Sequence, residues 1–162
     1  MSIILGIDPG TTDVGFAVIE LQKNKRTILT YGVIHTTPKA PQSQKLVEIM
    51  KDLEEIIVQY DVTHAAIEKL FFSTNLKTGI DVAQSRGVIV VTISKHGIPI
   101  LEYTPLQVKK AICWNGRAEK KQIGRAVQLL FKLETIPKPD DAADALGIAY
   151  LASMNPELYL KL

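Results

Sequence analysis

The sequence predicts an α/β fold in which a mixed five-stranded sheet is flanked by helices. Short runs of apolar and β-branched residues, bounded by Gly, Pro and Asp, read as strands. Longer stretches with apolar side chains three and four residues apart read as helices. The two kinds follow one another as β-β-β-α-β-α-β-α-α-α, an order that a sheet with helices packed on it accommodates.

Residues 3–7 are continuously apolar and stop at Asp8-Pro9-Gly10, which suits a buried central strand. Residues 14–20 return after a short turn as an antiparallel partner, and 26–36 supply a third strand. A loop with two prolines follows. Leu46, Ile49, Leu53, Ile56, Ile57 and Tyr60 then mark a helix, with Ser43 expected as its N-cap. Residues 65–67 form a short strand ending at Glu68, and 80–94 a long helix closed by Gly97. Residues 98–104 are the fifth strand. Thr104-Pro105 is an N-cap with proline at the first helical position, opening a helix to about Cys113. Another helix runs from about Glu119 to Phe131, and a last one starts near Asp140, its expected N-cap. With no repeat, low-complexity stretch or linker, residues 1–162 are expected to form one domain.

A hydrophobic share of 46% and a charged share of 22% fit a soluble globular chain. The single cysteine, Cys113, excludes an internal disulfide framework and fits a reducing compartment; its neighbours, AICWNGR, supply no base that would make it a nucleophile. The beginning of the chain reads as a strand and not a leader, and no apolar run approaches ~18 residues, so a cytoplasmic location is expected. The net charge of +2 is uninformative, but its distribution is not. Lys109, Lys110, Arg117, Lys120, Lys121, Arg125 and Lys132 crowd one segment against Glu119 alone, leaving the remainder net negative. That pattern suits either a grip on a polyanion or two helices with solvated faces.

Four acids stand where periodicity does not ask for them. Asp8 and Glu68 each end a strand, and Asp141 and Asp144 sit three apart among alanines in PDDAADALGIAYLA. A spacing of three puts Asp141 and Asp144 on one helix face, which Ile148 continues toward protein. An acid in a first helical turn also complements the helix dipole, an ordinary explanation for Asp140 and a weaker one for Asp144. If the four converge, each pair at ~5 Å repels by roughly 3 kcal/mol at an effective dielectric constant of about 20. Bound cations would relieve this, and an all-oxygen donor set selects Mg²⁺ or Mn²⁺. His35, His64 and His96 lack ligand spacing, which argues against zinc. Two such ions ~3.5–4 Å apart are a known arrangement for phosphodiester hydrolysis.

GIDPG, AIE-KLFF, QVKKAI, GRAEKKQI and PDDAADALGIA, taken in order across essentially the whole chain, closely resemble the RuvC family of Holliday junction resolvases in the RNase H-like superfamily. The resemblance implies an RNase H-like sheet in which Asp8, Glu68, Asp141 and Asp144 are both catalytic and metal-binding. It implies a homodimer that nicks two strands of like polarity at a four-way DNA junction, leaving 5′-phosphate and 3′-hydroxyl ends. It also implies magnesium or manganese, two per site, and a branch-migration partner of RuvA and RuvB type. Lys109 and Lys120 match the family's basic residues near the scissile backbone, with Arg117 and Lys121 as further DNA contacts. Phe71 matches the aromatic that stacks at the junction centre, although Phe72 beside it is the other candidate. Ala83 and Gly87, small and one turn apart, allow close approach to the chain's own sheet or a partner subunit; the resemblance favours the partner.

Asp13, close to Asp8, and Cys113-Trp114-Asn115 depart from the family pattern. GIDPGTT also looks like the first phosphate loop of actin-like ATPases and sugar kinases, but those need a second domain and a second glycine-rich loop. The alternatives kept are another RNase H-like nuclease acting on RNA or other branched DNA, and a non-catalytic junction-binding protein.

Overall fold

The computed structural model describes residues 1–70 and 76–155, with the backbone alone for 76–78. Five strands, β1 (Ser2–Asp8), β2 (Asp13–Gln22), β3 (Lys25–His35), β4 (His64–Glu68) and β5 (Ile100–Tyr103), form one sheet in the order β3-β2-β1-β4-β5. β1 pairs antiparallel with β2 and parallel with β4, and β4 is parallel to β5. The five helices are α1 (Gln42–Gln59), α2 (Leu76–Lys95), α3 (Pro105–Cys113), α4 (Lys120–Phe131) and α5 (Asp140–Ala152). The element order is the expected one.

The sheet divides the core in two. Leu5 and Ile7 of β1 pack with Ile49 and Leu53 of α1 and Ile89 and Ile93 of α2. Ile4 of the same strand packs on the other face, with Val108 of α3, Val127 of α4 and Leu146 and Ile148 of α5. This alternation is the strand's period of two, with both faces covered because parallel pairing needs helical crossovers. Among the described residues, no helix is long and apolar enough to cross a membrane.

Several element ends differ from expectation. α1 begins one residue before Ser43, because extended Pro41 already occupies the cap (φ −54°, ψ 146°) and its carbonyl accepts from Gln44 and Lys45. Asp140 likewise lies inside α5, since the Pro139 carbonyl accepts from Ala142; Asp140 and Asp141 complement the dipole from the first turn. α2 starts at Leu76, not 80, and takes in Gly79. α3 opens as expected: Thr104 Oγ1 accepts from Gln107 N at 3.1 Å, while Gln107 Oε1 accepts from Thr104 N at 2.8 Å.

Candidate active site

Strand register brings two acids together. Ile7 of β1 lies beside Ile67 of β4, so Asp8 and Glu68 are the next residues at the carboxyl ends of adjacent parallel strands. Ile4 and Ala66 bury toward α5, and two-residue alternation turns Asp8 and Glu68 to that same side. The other two acids arrive on α5, which lies almost on the strand backbones. A β-carbon on Gly15, the residue opposite Asp8, would come within 2.6 Å of the Asp141 carbonyl carbon. One on Gly6 would come within 2.7 Å of Ala149 N. Glycine is required at both places by this close approach.

One carboxylate oxygen from each of Asp8, Asp141 and Asp144 lies within 4.8 Å of the others. Glu68 borders the same cavity, a recess of about 230 Å³ lined also by Asp8, Asp144, Lys109 and Lys120 and walled by Pro105, Val108 and Ile123. Lys109 comes from α3 and Lys120 from the first turn of α4, where Lys120 Nζ stands 3.9 Å from Asp144 Oδ2.

Electrostatics show how crowded these acids are. Burial, followed by the charges of Asp144, Glu68 and Asp141, pushes the Asp8 carboxyl from its ordinary 3.8 up to about 8, against a lowering pull from Lys120. Glu68 rises to about 7 through burial and Asp144, moderated by Lys109 and Lys120. Asp144 rises to about 6, again chiefly through burial, with Lys120 opposing. At neutral pH Asp8 therefore stays largely protonated and Glu68 about half so, unless a cation takes the proton's place. The donor set suits a hard divalent ion: every converging atom is a carboxylate oxygen, and among the described residues no imidazole or thiol lines the recess. Asp8, Asp141 and Asp144 can hold such an ion, with Glu68 beside them.

The other expected residues fall in different places. Arg117 and Lys121 are exposed on the α3–α4 loop and the start of α4, outside the recess. Phe71 and Phe72 lie outside the described residues. Asp13 meets His35 instead of the other acids, with Oδ1 and Nδ1 2.6 Å apart.

Arg86 was not foreseen. From α2, its Nε donates to the Glu68 carbonyl at 3.3 Å and its Nη2 to Glu102 Oε1 at 2.8 Å, tying the end of β4 to β5. An arginine between a buried serine and apolar residues in QSRGVIV was the available signal. Gly6 and Gly15, set among larger apolar residues in their strands, are the signal for the close approach of α5.

Residues 4–151 match the family described as crossover junction endodeoxyribonuclease RuvC. The protein of that name from Heliobacterium modesticaldum is 48% identical over 147 residues, covering 91% of this chain and 91% of its own length. Its counterpart from Halothermothrix orenii is 49% identical over 147 residues, covering 91% and 89%. The structure of Thermus thermophilus RuvC in complex with Holliday junction substrate matches with a TM-score of 0.86 at 29% identity, covering 95% of this chain and 96% of that one.

Proposed function

The chain belongs to the RuvC family of crossover junction endodeoxyribonucleases, and from that membership we propose that its acid recess hydrolyses a phosphodiester of a four-way DNA junction. The observation that carries this is the meeting of Asp8, Asp141 and Asp144 oxygens within 4.8 Å, beside Glu68 and below two lysines.

The family's nucleases are metal-dependent, and the ion proposed here is Mg²⁺ or Mn²⁺, two per site, held by Asp8, Glu68, Asp141 and Asp144. When bound, such ions supply Lewis acidity toward a phosphate oxygen and lower the pKa of a coordinated water. The chain's own groups do the rest. The four acids fix where positive charge can collect, and the rigid sheet ends and α5 hold them there. Lys109 and Lys120 bind the DNA backbone at the mouth and offset charge that builds on the phosphate. Lys120, close to Asp144 without being locked to it, can turn its ammonium to an incoming phosphate. Water oxygen bonds to phosphorus as the bond to the 3′ oxygen breaks. That oxygen takes up a proton, leaving 5′-phosphate and 3′-hydroxyl ends. Arg117 and Lys121 add long-range attraction for DNA, and Phe71 is the proposed aromatic at the junction centre.

Two cuts in strands of like polarity need two sites, so the acting species is proposed to be a homodimer. The outer face of α2 supports this. Ile80 and Val91 are 56% and 61% exposed, and a β-carbon at Gly87 would meet nothing within 4 Å. A second copy would cover that face, in which Ala83 also lies. A branch-migration motor of RuvA/RuvB type is the expected partner, and the cytoplasm the expected location.

The test is cleavage of four-way junction, duplex, flap and RNA substrates with Mg²⁺ present, by the wild type and by Asp144→Asn. Junction-selective nicking that the variant loses while it stays folded supports the assignment. Equal cutting of all substrates removes the resolvase reading, and full activity in the variant removes Asp144 from the site.

A further inference from the structure

Building on the junction-cleaving reading, we propose that Trp114 is a stacking platform for a nucleobase of the strand that crosses the acid recess. Trp114 is the chain's one tryptophan, and it ends α3 with φ 57° and ψ 12°. That left-handed conformation is easy for glycine and strained for a residue with a β-carbon. The residue is also 91% exposed, so its apolar surface is hardly used in packing. Lys132 caps α4 in the same conformation, but among the described residues only at Trp114 does it coincide with a bared aromatic, a pairing that disfavours the folded chain and suits a ligand contact.

The turn that presents the indole is fixed at both ends. Trp114 N donates to the Lys110 carbonyl at 3.0 Å, and Asn115 Oδ1 accepts from Arg117 N at 3.0 Å. Beside the ring lies a groove of about 420 Å³, with Cys113, Ala118 and the 73%-exposed Leu129 in its apolar wall and Arg125 on its edge. An apolar groove alone would suit a protein segment equally well. Charge decides for DNA, because Arg125 lines the groove, exposed Lys110, Arg117 and Lys121 lie within a few residues of its lining in the chain, and Glu119 is the one acid nearby in the chain.

Position supplies the last link. At a helical rise of about 1.5 Å per residue, Trp114 stands roughly 7–8 Å along the α3 axis from Lys109, which lines the acid recess. The loop then leads directly to Lys120 on the same recess. Under the proposal, a backbone phosphate held by these lysines sets a neighbouring base against the indole. Stacking there tolerates any base, because every base offers a π-face.

A single tryptophan makes the test direct. A fluorescently labelled four-way junction is titrated with full-length protein in Ca²⁺, following DNA anisotropy and tryptophan emission together. The proposal expects emission to be quenched in step with binding. Trp114→Gly should weaken the junction Kd about 5- to 100-fold, with an unchanged salt slope and an equal or higher Tm, and Trp114→Phe should recover most of the affinity. Saturated anisotropy with unaltered emission, or a glycine variant that binds like wild type, would overturn the proposal and leave the groove to a protein partner. A lower Tm for the glycine variant would overturn it in favour of a structural role. An anisotropy that never rises would remove the DNA reading, and this contact with it.

Discussion

Asp8→Asn should make the metal-free protein more stable at neutral pH while abolishing its response to divalent ions. In the folded chain the Asp8 carboxyl has been pushed from 3.8 to about 8. Its folded pKa lies above its unfolded one, so its contribution to stability is fully present below pH ~4 and is lost as pH rises through about 8. At pH 7 that loss amounts to about 4 kcal/mol, taking about 1.4 kcal/mol per tenfold change in proton activity. Asparagine keeps the shape and stays neutral. The repulsion is shared with Glu68, Asp141 and Asp144, so the gain is expected at roughly 2–4 kcal/mol. For a chain of this size, that raises Tm by roughly 5–15 °C.

The assay is urea unfolding at pH 5 and pH 7.5, in EDTA and in Mg²⁺. Wild type should be weaker at pH 7.5 in EDTA and recover with Mg²⁺, which binds the folded state alone. The variant should be flatter with pH and indifferent to the ion, with an unchanged m-value. A variant less stable than wild type at pH 7.5 in EDTA would refute the reasoning, because Asp8 would then be held by favourable hydrogen bonds and not crowded by like charge.

Three further outcomes are expected. Lys109→Ala should weaken junction binding and lower the slope of log K against log salt by about one; an unchanged slope would move Lys109 to the solvated face. Gly15→Ala should cost about 1–3 kcal/mol or more, since its new methyl meets α5 main chain, and should weaken Mg²⁺-dependent stabilisation. Gly87→Ala, with nothing within 4 Å, is the control within the monomer, and equal melting of the two would contradict the packing described. Arg86→Ala should lower stability by about 1–3 kcal/mol by leaving the Glu68 carbonyl and one Glu102 oxygen without their guanidinium. It should also reduce single-turnover cleavage with little change in junction Kd, and Arg86→Lys should restore part of the rate; a purely higher Kd would argue against a positioning role.

The legible parts of the sequence were those encoded locally. Residues 3–7 announced a buried strand by composition, α3 its start by Thr104-Pro105, and Asp8 and Glu68 their place at the ends of strands. Cap positions were misplaced at Ser43 and Asp140 because each is preceded by a proline in extended conformation that takes the cap first. The partners of Arg86 lay hidden for another reason: Glu68 and Glu102 are distant in sequence and meet it through parallel pairing of β4 and β5. The role of Gly15 likewise depends on α5, well over a hundred residues later, lying against it. Local chemistry names a residue type worth attention, and topology supplies its neighbour.

The division of labour between main-chain seating and the α3–α4 hairpin has an evolutionary corollary. Three of the acids, Asp8, Asp141 and Asp144, are set by the apposition of α5 on β1 and β2, whereas Trp114, Arg117 and Lys121 project from a peripheral loop and the helix after it. Mutation can therefore vary the tip of the hairpin without disturbing the seating of those acids, while Lys109 and Lys120 tie the hairpin's two helices to the recess.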